Sequence, residues 1–146
     1  MGIFSSFRIS ATGLAAERLR MDVIANNIAN ANTTRTEKGG PYRRRQVVFQ
    51  AVSSGVRAGQ RRPGGLSAPG RGVVVAAIVE DPSPSRLVYD PGHPDADTRG
   101  YVAMPNVDAV REMVDMISAT RAYEANASAL DAAKTMAMRA LDIGRA

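Results

Sequence analysis

Residues 25 to 34 read ANNIANANTT, so four of these ten consecutive positions carry asparagine. Asparagine is a mediocre helix former, because its side-chain amide competes for backbone hydrogen bonds. The segment just before the cluster nevertheless has the apolar spacing of a helix. What these amides contact therefore bears directly on how the two ends of the chain are organised.

The asparagines would occupy one side of such a helix. Asn26, Asn27 and Asn30 would lie within about 100° of one another. Ile24 and Ile28 would point the other way, towards a partner helix. One interpretation has the amides facing outward, where their donors and acceptors pair with a neighbouring molecule. The other has the helix end fraying into a turn, for which asparagine is well suited.

The N-terminal segment predicts an amphipathic helix over residues 5–30. At ~1.5 Å per residue it would be roughly 40 Å long, with Gly13 as a weak point inside it. Its apolar residues recur every seven positions, which is typical of helices that pair with another helix. This stripe consists of Phe7, Leu14, Met21 and Ile28.

A second, longer helix is predicted over residues 107–144. Asn106 would be its N-cap and Gly144 its stop. At about 55 Å it is longer than a small globular domain needs. Its stripe consists of Met116, Tyr123, Leu130 and Ala137, with Met113 and Leu141 beside it.

The middle of the chain, residues 31–106, contains all eight prolines and is unlike a helix. Runs rich in β-branched residues predict strands at 44–52 and 72–81, with shorter strands at 86–89 and 100–104. Between the first two strands, residues 53–72 are dominated by glycine, proline and serine. This composition predicts a flexible basic loop.

The predicted fold class is therefore α+β, with two long terminal helices that pair as a coiled coil and enclose a small β-rich insert. Three regions are expected: an N-terminal helix at 1–34, the insert at 35–106 and a C-terminal helix at 107–146. The outer helix faces carry Asn, Ser, Thr and Ala rather than dense charge. That composition suggests a second layer of contacts, with other copies.

Charge is divided unevenly along the insert. Residues 35–72 are strongly basic and residues 80–97 are acidic, although the net charge of the whole chain is only +5. Such a division can bring unlike surfaces of neighbouring copies together, or it can belong to solvated loops. The residues considered for a charged surface between subunits are Arg43, Arg44, Arg45, Asp90, Asp95 and Asp97.

Several other classes of function are disfavoured. The chain has no cysteine, no recognisable cleavable signal and no apolar run long enough to span a membrane. Asp90, His93, Asp95 and Asp97 resemble a metal site only loosely, because their spacing matches no EF-hand and the prolines between them favour a turn. No catalytic triad or phosphate-binding loop is legible. We expect no catalytic residue, metal or cofactor.

Two terminal motifs point to a family. The N-terminal motif comprises SATGLAAER at 10–18 and MDVIANNIAN at 21–30. The C-terminal motif comprises PNVD at 105–108, EMVDMI at 112–117 and RAYEAN at 121–126. The chain strongly resembles the bacterial flagellar axial proteins. In its middle, YDPGHPDAD at 89–97 resembles the proximal rod subunits in particular, whereas the arginine-rich region at 35–72 departs most from the family pattern.

The resemblance implies a structural subunit of the flagellar basal body. Such proteins leave the cell through the flagellar type III export apparatus without a cleaved signal. They assemble into a helical tube that crosses the periplasm, surrounds the export channel and transmits motor torque. The implied partners are further copies, other proximal and distal rod proteins, the rod-to-membrane-ring junction protein and the export apparatus. Neither nucleic acid nor direct membrane insertion is expected.

A rival interpretation is a soluble helical adaptor, or a basic nucleic-acid-binding protein or chaperone. It rests on the arginine runs, which could bind phosphates without reading sequence. Under the rod interpretation, apolar stripes mediate helix pairing and assembly, and amides contact neighbouring subunits. The expected apolar set is Phe7, Leu14, Met21, Ile24, Ile28, Met113, Met116, Tyr123, Leu130 and Leu141. The expected polar set is Asn26, Asn27, Asn30 and Asn126.

Overall fold

The structure is a computed structural model that describes residues 3–52 and 71–144. Two helices enclose two small antiparallel sheets, in agreement with the predicted α+β class. In chain order the elements are α1 (Ile3–Ala29), β1 (Arg45–Ala51), β2 (Val73–Glu80), β3 (Arg86–Tyr89), β4 (Tyr101–Met104) and α2 (Ala109–Ile143). The four strands lie where the β-branched runs predicted them. Most of the expected basic loop, residues 53–70, lies outside the described residues.

The two helices pack against each other in antiparallel orientation. Three contacts define this direction, because the partner on α2 moves back along the chain as α1 advances. Gly13 lies against Asn126, Met21 accepts a hydrogen bond from Thr120, and Asn27 donates to Glu112. Antiparallel pairing brings the first turn of α2 beside the end of α1. It also brings the start of β1 close to both helices.

The most buried side of α1 is rotated away from the expected heptad stripe. Ala16, Val23, Ile24 and Asn27 are buried, whereas the stripe residues are only half-buried. The physical reason is that α1 contacts two neighbours, α2 and the β1–β2 sheet. The buried face therefore lies between these two contacts rather than along the line of largest apolar side chains.

The start of β2 packs against the first half of α1. Val73 donates its backbone N–H to Thr12 Oγ1 at 3.2 Å. Gly72 has a φ of +117°, and a Cβ there would run into the Thr12 side chain. Glycine is therefore required at this position both for the backbone conformation and for the close approach of strand to helix.

The start of α2 differs from the prediction. Its N-cap is Asp108, whose side chain accepts hydrogen bonds from the backbone N–H groups of Val110 and Arg111. Asn106 was expected in this role, but its amide is used elsewhere. Its Oδ1 accepts from Arg44 N at 2.8 Å, and its Nδ2 donates to Asp81 O at 3.2 Å. Asp108 is also a good N-cap type, so residue type alone did not separate the two.

Neither helix, within the residues described, contains a stretch that is long and apolar enough to cross a membrane.

Candidate functional site

The centre of the molecule is a polar junction between α1, the chain leading into β1, and α2. Asn27 on α1 is 0% exposed. Its Nδ2 donates to Arg45 O and to Glu112 Oε2, both at 2.8 Å. Its Oδ1 accepts from Tyr42 OH and from Arg45 N, both at 3.0 Å. All four hydrogen-bonding positions of the amide are thus occupied inside the protein.

Glu112 is the anionic partner in this junction and is likewise 0% exposed. One of its oxygens accepts from Asn27, and the other pairs with Nε of Arg44. A buried carboxylate without such partners would be strongly disfavoured. The sequence places Glu112 in the first turn of α2, where the helix dipole also favours an acid.

Arg44 connects the junction to two further carboxylates. Its guanidinium lies 3.1 Å from Asp115 on α2 and 3.8 Å from Asp81, just after β2. Its backbone N–H donates to Asn106, ahead of α2. One arginine therefore ties α2 to the loops at the ends of both β1 and β2. Since its side chain is only 12% exposed, this charge is largely screened from solvent.

These contacts correct two predictions. Asn27 was expected to face outward with Asn26 and Asn30, but it lies on the buried side of α1 near Val23 and Ile24. Arg44 was considered for a charged surface between subunits, but it is satisfied within the chain. In both cases the reason is the same: partners distant in sequence cover these groups.

The other expected polar contacts are more exposed. Asn26 and Asn30 donate to carbonyls one turn earlier on α1. Asn126 does the same on α2, and its side chain also packs against Gly13. Arg43 is exposed and reaches Ser83 O at 3.4 Å. Arg45 stacks over the Tyr42 ring with its guanidinium carbon 5.7 Å from the ring centroid.

Tyr42 is a titratable group of the junction whose pKa is shifted. Burial raises the pKa of its phenol above the ordinary value of 10.0, Arg45 opposes that rise, and the carboxylates of Glu112 and Glu80 add to it. The phenol therefore stays neutral and donates its hydrogen bond to Asn27 throughout the physiological range.

The acidic segment between β3 and β4 forms a turn stabilised by its own side chains, as the sequence predicted. Asp90 accepts from Gly92 N at 3.2 Å. Asp97 accepts from Arg99 N and Tyr101 N, and these bonds help to lower its pKa, with the Tyr101 N–H as the largest cause. Asp95 accepts from Thr34 Oγ1 at 2.8 Å. His93 Nδ1 accepts from Asp95 N.

A row of exposed apolar residues runs along α2 on the side away from α1. Val110, Met113, Val114 and Ile117 follow the i, i+3, i+4, i+7 spacing of a single helix face, and Val110 is 71% exposed. We call these four residues the outer stripe. Contiguous exposed apolar surface of this kind commonly marks a site of protein–protein contact.

The predicted assembly residues divide between this stripe and the helix interface. Met113 belongs to the outer stripe, and Leu141 is 70% exposed near the end of α2. The remaining predicted residues lie on the sides of the helices that are half-buried or buried. They are Phe7, Leu14, Met21, Ile24, Ile28, Met116, Tyr123 and Leu130.

Comparison with known proteins connects this architecture to a family. The family model described as flagella basal body rod protein matches residues 7–35, and the one described as flagellar basal body rod FlgEFG protein C-terminal matches residues 98–143. The flagellar basal-body rod protein FlgC of Borreliella burgdorferi is 52% identical, over 98% of both chains. The chain belongs to the FlgC family.

Other FlgC proteins are also similar to this chain over nearly its whole length. That of Bacillus subtilis is 46% identical over 99% of this chain and all of its own length, and that of Salmonella typhimurium is 43% identical over the same shares. The chain is a structural rod subunit of the flagellar basal body, and the rival adaptor or nucleic-acid-binding interpretation is not favoured.

Each of the two regions matched by a family model contains a residue of the polar junction. Asn27 lies in the first matched region and Glu112 in the second, whereas Tyr42, Arg44 and Arg45 lie between the two regions. No pattern in the sequence indicated that Tyr42, Glu112, Asp81 or Asp115 would interact. The one signal was an acid in the first turn of α2, and the helix dipole alone already explained that residue.

Proposed function

We propose that this chain polymerises into the proximal part of a tubular flagellar rod. The regions at 1–34 and 107–146 form the assembly core as a coiled-coil pair in the inner wall, around the export channel. The insert at 35–106 lies farther out. The chain reaches the periplasm through the flagellar type III export apparatus, without cleavage. Its neighbours are further copies, other proximal and distal rod proteins, and the rod-to-membrane-ring junction protein.

One observation carries the proposal beyond family membership. The polar junction fastens one side of the helix pair to the insert, whereas α2 leaves the outer stripe uncovered. The polar groups of the junction are satisfied within the subunit, whereas the apolar outer stripe is left for another molecule to cover. Such a subunit is suited to a polymer in which neighbouring subunits bury that stripe. Many such contacts, distributed along the rod, would also carry torque without concentrating load on one pair of residues.

The test uses a strain that lacks its own copy of this gene and is complemented with variants. Val114→Glu places a charge in the centre of the outer stripe and should abolish motility and rod formation. Val114→Ile keeps the surface apolar and should restore both. Because Val114 is 61% exposed, neither change should alter the unfolding free energy of the isolated protein by more than about 0.5 kcal/mol.

Two results would contradict the proposal. One is a motile Val114→Glu strain with complete basal bodies. The other is a preparation of basal bodies, from the strain complemented with the unchanged gene, that contains no trace of this chain.

A further inference from the structure

The most buried side of α2 is a row of four residues that recur every seven positions. Glu112 and Ala119 are 0% exposed, Ala133 is buried as well, and Asn126 is half-buried. A spacing of seven keeps residues close to one side of a helix over several turns. We call Glu112, Ala119, Asn126 and Ala133 the α2 row.

Two members of the α2 row are polar, and each has its own partner on α1. Glu112 accepts a hydrogen bond from Asn27 at 2.8 Å. Asn126 packs against Gly13, where an added Cβ would lie 2.9 Å from its Oδ1. The two partners are two heptads apart on α1, as the two polar residues are on α2. Both contacts therefore belong to one and the same alignment of the helices.

The apolar stripes do not distinguish this alignment from its neighbours. The stripe that begins at Phe7 on α1 and the stripe that begins at Met116 on α2 both recur every seven positions, and their residues are half-buried. A shift of α2 by seven residues, about 10 Å along its axis, would again set apolar side chains against apolar ones. It would separate Glu112 from Asn27 and set Asn126 against a residue other than glycine.

The chain between β4 and α2 does not by itself prevent such a shift. Its four residues, 105–108, can span up to about 13 Å when they are extended. Asn106 ties this segment to Arg44 and Asp81, which belong to the polar junction. Within the helix pair itself, the contacts that mark the observed alignment are those of the two polar residues of the α2 row.

We propose that Glu112 and Asn126 set the register of the helix pair, whereas the apolar stripes hold the helices together without selecting an alignment. Buried polar residues are able to select one register of paired helices, at some cost in stability. The register matters outside the helix pair, because Thr12 on α1 holds the insert and the outer stripe belongs to α2. A shift of seven residues would move that stripe by about 10 Å relative to the insert.

Disulfide formation in the purified full-length protein measures the register. The chain has no cysteine, so Met21→Cys is combined in turn with one thiol at each of three positions on α2, spaced by seven. Thr120→Cys reports the observed alignment, because Thr120 contacts Met21. Met113→Cys and Ala127→Cys report a shift by one heptad in either direction. With the α2 row unchanged, we expect a disulfide within one chain only for Thr120→Cys.

The test variant turns the α2 row into four alanines. It combines Glu112→Ala and Asn126→Ala with Gly13→Ala, since no glycine is needed opposite an alanine. This variant should keep a cooperative urea transition and should form the disulfide in a shifted alignment as well as in the observed one. Two controls each keep one polar contact: Glu112→Ala alone, and Gly13→Ala with Asn126→Ala. Both controls should form the disulfide only with Thr120→Cys.

Moving the asparagine along the α2 row tests the direction of the shift. With Glu112 already replaced by alanine, Asn126→Ala and Ala133→Asn place the only amide of the row one heptad later. Gly13 is kept in this variant. The asparagine then meets its glycine only if α2 shifts by seven residues, so the disulfide should move to the Ala127→Cys reporter.

Four results would overturn the proposal. One is a disulfide in all three reporters of the unchanged protein, which would show that the register is not unique. Another is a four-alanine row that still gives only the Thr120→Cys disulfide, because other contacts would then set the register. The third is a four-alanine variant without a cooperative urea transition, because the polar residues would then hold the helices together. The fourth is a moved asparagine that leaves the disulfide at Thr120→Cys. None of these results bears on the rod function.

Discussion

The side-chain amide of Asn27 lies 2.8 Å from Oε2 of Glu112 and joins the end of α1 to the first turn of α2. The same amide pairs with both backbone groups of Arg45, where β1 begins. One residue thus holds three segments that are far apart in the sequence. This junction is one attachment of the insert to the helix pair, and the hydrogen bond from Val73 N to Thr12 Oγ1 is another.

Loss of the Asn27 amide should be costly. Asn27→Ala leaves Tyr42 OH, the backbone N–H of Arg45 and one oxygen of Glu112 without their partner, and should lower the free energy of unfolding by about 2–3 kcal/mol. Urea denaturation of the purified protein measures this. The control is Asn26→Ala, whose amide only bonds its own helix and whose loss should change stability by less than about 0.5 kcal/mol. Equal losses of stability in the two variants would contradict the central place of Asn27 in the polar junction.

Neutralising Glu112 should weaken the same junction. Glu112→Gln keeps the shape but leaves Arg44 with only the more distant or more exposed carboxylates of Asp81 and Asp115. We expect a loss of about 2 kcal/mol, below the full cost of breaking a buried pair because two acids remain. Asp115→Asn should cost less than about 1 kcal/mol, since that carboxylate is 35% exposed. A reversed order would show that Arg44 relies chiefly on Asp115.

The contact between Gly13 and Asn126 predicts a substitution whose effect depends on its neighbour. A Cβ on Gly13 would lie 2.9 Å from Asn126 Oδ1, so Gly13→Ala forces the amide to move, and this cost should cancel most of the ~1 kcal/mol that alanine gains over glycine in a helix. In an Asn126→Ala background the obstacle is gone. The same change should then stabilise by up to ~1 kcal/mol, because alanine favours the helix. A double-mutant cycle, measured by urea denaturation, gives the coupling energy between positions 13 and 126. Additive effects of the two substitutions would contradict the predicted contact.

Tyr42 predicts an alkaline decline in stability. Its pKa is raised in the folded protein, so above pH 10.0 the unfolded chain loses the phenolic proton first. The unfolded state then binds fewer protons, and the unfolding free energy falls with pH until the folded pKa is passed. Tyr42→Phe should lower stability at neutral pH by about 1 kcal/mol and flatten this decline. If the unfolding free energy of the variant fell as steeply above pH 10.0 as that of the unchanged protein, the decline would not be due to Tyr42.

Local features were predictable from the sequence because their causes are local. β-branched runs bounded by glycine and proline placed the strands, and the spacing of apolar residues placed both helices. The acidic turn followed from the tendency of aspartate to accept nearby backbone N–H groups. For Asn27, by contrast, the deciding partners are Tyr42, Arg45 and Glu112. No short-range pattern reveals a partner 85 positions away.

The most buried side of α1 was not evident from the sequence for a related reason. The stripe through Leu14 and Met21 marks the largest apolar side chains, but α1 is covered from two directions, by α2 and by the β1–β2 sheet. The residues that become most buried are Ala16, Val23, Ile24 and Asn27, of which only Ile24 was predicted to pair with the other helix. A rule that follows only the spacing of large apolar residues therefore does not identify the most buried side of α1.

The measurement that tests the account most directly is a density map of the isolated basal body in which the helices of the rod are resolved. The account predicts α1 and α2 of this chain side by side and antiparallel in the rod wall, with Asn27 against Glu112 and the Val110–Ile117 face covered by protein. A rod without this chain would contradict it, and so would a rod in which that face of α2 is open to solvent.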